Sequence, residues 1–264
     1  MMKVLNNFIN ENKKAILFAL LFMIGVSAAY LAFGPKNTME SNQLDSSFFD
    51  GAQFKVAFSS NDSMKLFAYV KNSALAKLTA LEGSTFTEDD AIVIGFNEAK
   101  EMQREKLFTK PGDSLNNFFG LNRTTIAGVL EKTSSPVDEI HFLGKNAFEA
   151  VNASSDRVFA KTFKGLPELL YVLNPGDELP PQFKLEEGNM NGYSLHNLGN
   201  GTYYPIVIGS QEAQKMREEK EFVAIGDLMR NYLDKNFIVV GVLKQTNSSM
   251  DIMQFIPLQE SQMK

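Results

Sequence analysis

Ile92-Val93-Ile94-Gly95 recurs almost unchanged as Ile206-Val207-Ile208-Gly209, and the residues that follow the two stretches also match. The match continues without a gap through a Gly-Asp pair and resumes, after a one-residue slip, at a Gly-Val-Leu run. Internal self-similarity on this scale indicates a repeated structural unit. We therefore expect two units of the same fold, related by a pseudo-twofold axis. The matched positions include Glu98/Glu212, Ala99/Ala213, Met102/Met216, Gly112/Gly226, Asp113/Asp227, Asp138/Asp251 and Phe142/Phe255.

Each copy has the pattern of a strand, a helix, a turn and a second strand. Short β-branched runs are typical of buried strands, and a glycine ends each of them. The Ala-x-x-Met spacing that follows predicts a helix with one buried face, and the Gly-Asp pairs predict turns. The predicted strands are 92–94, 124–130, 206–208 and 237–243, and the predicted helices begin near the candidate N-caps Asn97 and Ser210 and end near Lys106 and Lys220.

The sequence around the copies predicts further elements and one difference between the units. Residues 185–188 correspond loosely to residues 81–83. The second unit then carries an insertion over 189–205, in which Asn200-Gly201 predicts a β-hairpin. The remaining predictions are strands over 54–58, 65–70, 157–163 and 169–173, and a short helix over 74–81.

Residues 15–34 are apolar and carry no charged side chain, and a stretch of about 20 such residues spans a bilayer. Lys13 and Lys14 precede it, so the N-terminus is predicted to be cytoplasmic. A cleaved signal peptide is the alternative, because Val26-Ser27-Ala28 fits a cleavage site, but the apolar run is longer than is usual there. Both interpretations place the rest of the chain outside the cytoplasm. Small residues for close helix packing in the membrane are Gly25, Ser27, Ala28, Ala29 and Ala32.

The predicted fold class is α+β: a β-rich extracytoplasmic domain of two pseudo-twofold repeats, held to the cell membrane by one N-terminal transmembrane helix. The bulk of the chain is predicted to be periplasmic or extracellular, and the lipid bilayer is contacted through residues 15–34. The predicted divisions are a cytoplasmic stub over 1–14, the transmembrane helix over 15–34, a polar linker over 35–50, and extracytoplasmic repeat units over 51–150 and 151–264.

Composition excludes several classes of function. The net charge of −5 argues against a nucleic-acid partner, which needs a basic surface. The chain has no cysteine, so thiol catalysis and thiolate metal sites are excluded, and its length suffices for a core without disulfides. In a glycosylating host, Asn-x-Ser/Thr motifs on an extracytoplasmic chain are candidate glycosylation sites. These are at Asn61, Asn122, Asn152, Asn200 and Asn247.

Catalytic motifs are missing from the sequence. It has two histidines, His141 and His196, and neither has the neighbouring ligands that a zinc site needs. His141 aligns with Gln254, so the repeat does not preserve it. No nucleophile elbow, phosphate loop or dinucleotide fingerprint occurs. We predict that the protein is not an enzyme and has no cofactor and no metal site.

Two hypotheses about ions stay open beside that prediction. Several methionines suit copper, although methionine is also a flexible core residue. The acidic pairs Glu98/Glu212, Asp113/Asp227 and Asp138/Asp251 could share a proton or bind calcium if the axis brings one pair together. Roles at helix starts and in turns are favoured for all three pairs. The methionines concerned are Met216, Met229, Met250, Met253 and Met263.

The segment 81–95, Leu-Glu-Gly-Ser-Thr-Phe-Thr-Glu-Asp-Asp-Ala-Ile-Val-Ile-Gly, resembles the periplasmic core domain of MacB-type ABC transporters. Its continuation through Glu98-Ala99, Gly112-Asp113 and residues 126–130 resembles the same domain, whereas the second copy matches only from Ile206 onward. The resemblance implies a fold and a location outside the cytoplasm. That family inserts the domain between two helices of a four-helix permease, whereas this sequence has one apolar span. The resemblance therefore does not imply transport by this chain alone.

We predict a structural or accessory subunit that binds subunits of a membrane protein complex on the outer face. The alternative is a periplasmic component associated with an ABC or FtsX-like transport or export system. A copper- or calcium-binding surface protein is a weaker alternative. The residues that the two copies share build a fold, so specificity is expected where they differ: in the hairpin insertion, the linker and the membrane helix.

Overall fold

The computed structural model describes residue 44 and residues 47–59, 63–155, 157–173, 180–189, 196–198 and 201–257. The predicted transmembrane helix, its small residues, Asn61 and Asn200 lie outside this part of the chain. No helix within the described residues is long and apolar enough to span a membrane.

The described part of the first unit forms a mixed sheet of eight strands. Their order is β3-β6-β4-β7-β2-β1-β8, and β5 pairs with β6 outside this path. The strands are β1 (Gln53–Phe58), β2 (Met64–Tyr69), β3 (Ala80–Gly83), β4 (Ala91–Ile94), β5 (Ser114–Phe118), β6 (Leu121–Leu130), β7 (Ile140–Leu143) and β8 (Ser154–Ser155).

The second unit repeats seven of these eight strands in its described residues, where β8 has no counterpart. The order is β11-β15-β13-β16-β10-β9, with β14 paired to β15 as β5 is to β6. Its extra strand, β12, pairs with β13 and forms a hairpin in the predicted insertion. The predicted Asn200-Gly201 turn is wrong at its second residue, because Gly201 already pairs with Leu198 as the start of β13. The strands are β9 (Val158–Phe163), β10 (Leu166–Val172), β11 (Leu185–Gly188), β12 (His196–Leu198), β13 (Gly201–Ile208), β14 (Leu228–Tyr232), β15 (Lys235–Leu243) and β16 (Met253–Ile256).

Short helices connect these strands. One 3-10 turn in each unit, Pro136–Glu139 in the first and Ser249–Ile252 in the second, precedes the strand in the middle of its sheet. A serine before each turn, Ser135 or Ser248, accepts a hydrogen bond from its backbone. The α-helices are α1 (Asn72–Leu75), α2 (Phe96–Arg104), α3 (Lys145–Ala150) and α4 (Ser210–Glu218).

The period of two along β4 and β13 sets the layers of the fold. Val93 and Val207 belong to one core that both units share. The isoleucines on either side of Val93 pack with Ala99 and Met102 of α2, and those beside Val207 pack in the same way under α4. Alternate strand residues point to opposite faces, so each sheet has a helix on its outer face and the other unit on its inner face. Only the central valine of each Ile-Val-Ile run therefore needs the second unit.

The aromatic end of the predicted linker belongs to the domain. Leu44, Phe48 and Phe49 are buried in the shared core, and the rings of Phe48 and Phe142 meet edge to face with centroids 6.0 Å apart. This segment therefore joins the described domain before β1 begins.

The structure corrects several local predictions. The helix predicted over 74–81 is wrong: α1 ends at Leu75, and Ala80 already pairs with Leu130 as the start of β3. The predicted caps Asn97 and Ser210 are also wrong, because Gly95 and Gly209 are the N-caps and no side chain caps either helix. Seven strands were not predicted, because their alternation is short or interrupted by polar residues: β3, β5, β7, β8, β11, β14 and β16.

Candidate functional site

A cleft of about 310 Å³ opens between the two units. One wall is the first 3-10 turn, and the other is the start of β10 together with the first turns of α4. The 3-10 turn packs against β10, and Ser249 in the equivalent turn donates a hydrogen bond to the backbone oxygen of Glu139 at 3.1 Å. The lining side chains include Asn97, Lys132, Asp138, Glu139, Leu166, Pro167, Glu212, Lys215 and Ile252.

Glu139 is the most unusual side chain of the cleft. It is 8% exposed, and its Oε1 accepts a hydrogen bond from Asn97 Nδ2 at 2.7 Å. No other described residue bonds its carboxyl group. Burial raises the pKa of Glu139 to about 7, and the nearby carboxylates of Glu98, Asp138 and Asp251 act in the same direction. The carboxyl group is therefore divided between its two protonation states near neutral pH.

A second group of buried carboxyls lies behind the opposite wall. Lys215 Nζ lies 3.2 Å from Glu168 Oε1 and 3.4 Å from Glu212 Oε1. Burial, followed by the neighbouring Glu212, raises the pKa of Glu168 to about 8. Burial opposes the charge on Lys215, but the two glutamates raise its pKa above the usual value. Burial thus favours the protonated form of Glu168 at pH 7, and Lys215 stays charged within ion-pair distance of both glutamates.

Gln254 and Tyr232 complete this second group. Gln254 Nε2 donates to Glu168 Oε2 at 3.1 Å and also to the hydroxyl of Tyr232. Burial raises the pKa of Tyr232 well above its usual value, so the phenol stays neutral. The Oε1 atom of Gln254 is buried and has no hydrogen-bond partner.

The first unit has a polar group at the equivalent place, with the charges arranged differently. Leu66 pairs with Ile140 as Leu169 pairs with Met253, so Lys65 occupies the position of Glu168. Lys65 Nζ donates to Glu98 Oε1 at 2.6 Å, and both residues are buried. The repeat therefore keeps the buried glutamate of α2 and α4 but inverts the charge on the neighbouring strand.

His141 belongs to this first group and is fully buried. Its Nδ1 lies 3.3 Å from the Leu66 backbone oxygen and its Nε2 lies 3.4 Å from Glu98 Oε1. A carbonyl oxygen accepts only, so Nδ1 carries a proton. Burial lowers the pKa of His141 to about 4 despite the glutamate. The ring is therefore a neutral core side chain at pH 7, packed against Phe67.

The turn roles predicted for two of the three acidic pairs are confirmed. Asp113 accepts hydrogen bonds from the backbone of Thr109 and Lys110, and Asp227 does the same in the second unit. These bonds lower the pKa of both aspartates. The carboxyl groups of Asp138 and Asp251 hold the loops before the 3-10 turns, where they bond Thr133-Ser134 and Thr246-Asn247.

The third pair, Glu98 and Glu212, does lie in the first helical turn of α2 and α4. Each side chain is also buried and pairs with a lysine of its own unit. The predicted role at the start of a helix did not include this burial or this pairing. The structure therefore brings neither glutamate to the other.

The methionines do not form one cluster. Met216 and Met229 pack under α4, whereas Met250 and Met253 lie in the shared core on the other face of the sheet. Met263 and the side chain of His196 are outside the described residues. In the part of the chain that is described, no group of three or more histidine and acidic side chains is placed to hold a metal ion.

The remaining predicted site residues are the glycosylation motifs. Asn122, Asn152 and Asn247 are exposed, so all three are sterically open to modification. Asn61 and Asn200 cannot be placed, because they lie outside the described residues.

Sequence comparison of the copies missed the residues that matter most in these two groups. Lys65 and Glu168 precede matching leucines, but the copies are too dissimilar there to align without the strand pairing. Glu139 aligns with Ile252. A glutamate in one copy at the position of an isoleucine in the other could have marked Glu139 as a candidate site residue. Lys215 aligns with Glu101, and this difference between the copies could have marked Lys215 in the same way.

We compared the chain with known protein families, with curated proteins and with solved structures, and none of them matches it. The likeness to MacB-type domains therefore remains an inference from the motif itself.

We predict that Glu139→Gln changes how stability depends on pH. The pKa of Glu139 is 4.5 when unperturbed and about 7 in the folded chain. Between these values the folded chain keeps a proton that the unfolded chain has released, so the free energy of unfolding falls as pH rises. The variant has no titrating carboxyl group at this position, so its free energy of unfolding should not fall for this reason as pH rises. It should match the wild type at pH 4 and be more stable by up to about 3 kcal/mol at pH 8.

Urea unfolding followed by circular dichroism at pH 4, 6 and 8 measures this difference. Glu105→Gln is the matched control, because Glu105 is exposed and should show no pH-dependent difference from the wild type. An equal gap between Glu139→Gln and the wild type at all three pH values would contradict a buried, titrating Glu139.

Proposed function

We propose that the chain is a single-pass, membrane-anchored extracytoplasmic accessory subunit that binds other membrane proteins through the free edge of its first sheet. The observation that carries this proposal is a difference between two equivalent edge strands, β3 and β11. Each is the last strand of its sheet among the described residues, and each pairs with its neighbour in the same register with one irregularity.

The edge of the second sheet is protected by charge. Glu186 is exposed, and Glu187 accepts two hydrogen bonds from the guanidinium of Arg217 at 2.9 and 2.7 Å. Charged side chains on an edge strand prevent pairing with another chain. This edge therefore has the features of a surface that stays unpaired.

The edge of the first sheet keeps one exposed charge, Glu82 at the position of Glu187, but it is apolar at the position of Glu186. Leu81, which occupies the position of Glu186, is 53% exposed, and Phe86 just beyond the strand is 56% exposed. Large exposed apolar side chains beside an unpaired strand suit a partner that adds a strand and covers them. The expected partner is an extended extracytoplasmic segment of a membrane protein with apolar side chains on one face.

The membrane anchor in this proposal rests on the apolar stretch over 15–34. The alternative partner, a permease of an ABC or FtsX-like system, is suggested only by the resemblance of the motif over 81–95 to MacB-type domains. In that motif a β-carbon on Gly83 would lie 2.3 Å from the Ala127 oxygen, and one on Gly128 would lie 2.2 Å from the Ser84 oxygen. Close backbone packing thus accounts for both glycines, so the motif supports a common fold rather than a common partner.

Site-specific crosslinking in intact membranes tests the proposal. A photoreactive residue at position 81 of the full chain should give a discrete adduct with one membrane protein. The same probe at Val223, which is 75% exposed in the second unit, is the control for general stickiness. Leu81→Glu introduces the residue that Glu186 provides at the edge of the second sheet. This variant should no longer copurify with that protein in mild detergent.

The outcomes separate the hypotheses. A permease, or a permease with its ATPase, in the adduct would favour the transport-linked alternative. Equal labelling from positions 81 and 223, or a clean monomer of the wild type in mild detergent, would contradict the accessory-subunit proposal.

A further inference from the structure

The cleft between the units contains a carboxylate that the fold does not need. Glu139 ends the first 3-10 turn, and Ile252 ends the equivalent turn of the second unit. The two turns have the same length, the same serine before them and the same aspartate holding their loop. The second turn forms with an isoleucine at this position, so the first turn does not need the carboxylate of Glu139 in order to form.

The placement of Glu139 is also energetically unfavourable without a further partner. The residue is more than nine-tenths buried and lines the cleft. Asn97 bonds one of its oxygens, and the other oxygen has no hydrogen-bond partner among the described residues. A buried charge needs pairing as well as hydrogen bonds. The carboxylate thus lies in the wall of the cavity with one oxygen held by Asn97 and the other open to a ligand.

The other lining groups define the charge of that ligand. The carboxyl group of Asp138 accepts hydrogen bonds from the backbone of the loop that precedes it. Glu212 and Lys215 offset each other. Counted as formal charges, the lining lysines Lys132 and Lys215 oppose the three lining carboxylates Asp138, Glu139 and Glu212, which leaves one net negative charge in the cleft. This favours a monovalent cation over a divalent one.

The remaining walls define its size and chemistry. Leu166, Pro167 and Ile252 provide apolar surface beside the carboxylate. The volume of about 310 Å³ is at the lower end of small-molecule sites. A calcium ion does not suit the cleft, because calcium takes six to eight oxygen ligands. An alkyl chain with one charged nitrogen suits both the apolar wall and the carboxylate.

We propose that this cleft binds a small organic monocation, a primary alkylammonium or alkylguanidinium, with Glu139 as its counter-ion and the Leu166-Pro167 wall around its alkyl chain. This site is independent of the sheet edge proposed for protein binding. Asn97 orients the carboxylate and does not itself contact the cation's charge.

Titration of the full chain with n-butylammonium tests the site. Binding should saturate at one equivalent and shift the side-chain amide signal of Asn97, with a dissociation constant on the order of 1 mM for so small a probe. Because Glu139 must be ionised, affinity should rise roughly tenfold from pH 6 to pH 8. Methylguanidinium should bind as well, whereas butyrate should not.

Two variants isolate the carboxylate from the fold. Glu139→Gln keeps the shape of the side chain, and Glu139→Ile introduces the residue found at the equivalent position of the second unit. Both variants should therefore fold, and both should weaken butylammonium binding at least tenfold. Glu105→Gln, in the equivalent cleft of the other unit, should bind like the wild type. Unchanged binding by both Glu139 variants, butyrate binding as well as butylammonium, or no saturable shift of Asn97 at pH 8 would each overturn the proposal.

Discussion

Gly209→Ala is expected to lower the free energy of unfolding by about 3 kcal/mol. A β-carbon at this position would lie 2.2 Å from the Met250 oxygen and 2.6 Å from the Asp251 oxygen. Both neighbours are backbone atoms of the 3-10 turn, whose loop the Asp251 carboxylate holds in place. Neither can rotate away as a side chain would, so the turn must move as a whole.

The repeat offers a second test of the same contact. Gly95 stands in the same relation to the first 3-10 turn, with the Val137 oxygen 2.2 Å from its ideal β-carbon, so Gly95→Ala should lose a similar amount. Gly226→Ala is the matched control. Its β-carbon would have no neighbour within 4 Å, and its φ of +96° adds only local strain, so it should lose about 1–2 kcal/mol.

Urea unfolding of the three variants measures these differences. If Gly95→Ala and Gly209→Ala lose no more than Gly226→Ala, the 3-10 turns shift freely and the glycines of the Ile-Val-Ile-Gly motif have another role.

Lys65→Met is expected to lower the free energy of unfolding by about 3–5 kcal/mol. The substitution keeps the aliphatic stem but removes the ammonium group that lies 2.6 Å from Glu98 Oε1. Glu98 is 2% exposed, so its carboxylate would remain in the core without a cation. Leaving a buried charge unpaired is more costly than removing both partners of a pair.

The double variant Lys65→Met/Glu98→Gln is the control. It leaves no charge in this part of the core and should recover most of the loss. A double variant as unstable as Lys65→Met alone would show that packing of the lysine, rather than pairing of the glutamate, accounts for the effect.

His141 provides an independent measurement of the same group. Lys65 lowers the pKa of this histidine, and Glu98 raises it. In Lys65→Met the pKa of His141 should therefore rise from about 4, because the glutamate acts on it unopposed. Proton NMR titration of the ring detects this shift. An unchanged pKa would mean that Lys65 and His141 do not interact electrostatically.

Local patterns in the sequence were enough to predict the repeated elements. The Ile-Val-Ile runs form β4 and the end of β13, and the Ala-x-x-Met faces of α2 and α4 are buried as predicted. These features depend on period and on residue type within a few positions, which a single chain displays directly. The same approach failed at α1, because residues 74–81 carry no signal that distinguishes a helix from an edge strand.

The candidate cleft was not predictable in this way. Glu139 and Glu212 come from different units, far apart in sequence, and their position in one cleft depends on how the two sheets pack. Their burial is equally invisible in the sequence, where glutamate is normally an exposed residue.

The sequence by itself determined the duplication, the strands and helices at its centre, and the alternation that gives each sheet two buried faces. Only the tertiary structure decided which valines face the shared core, that Lys65 and Glu168 occupy equivalent buried positions, and that Glu139 lines a cleft between the units. The physical reason is that periodicity acts along the chain, whereas burial and the pKa of an ionisable group depend on neighbours that folding brings from distant segments.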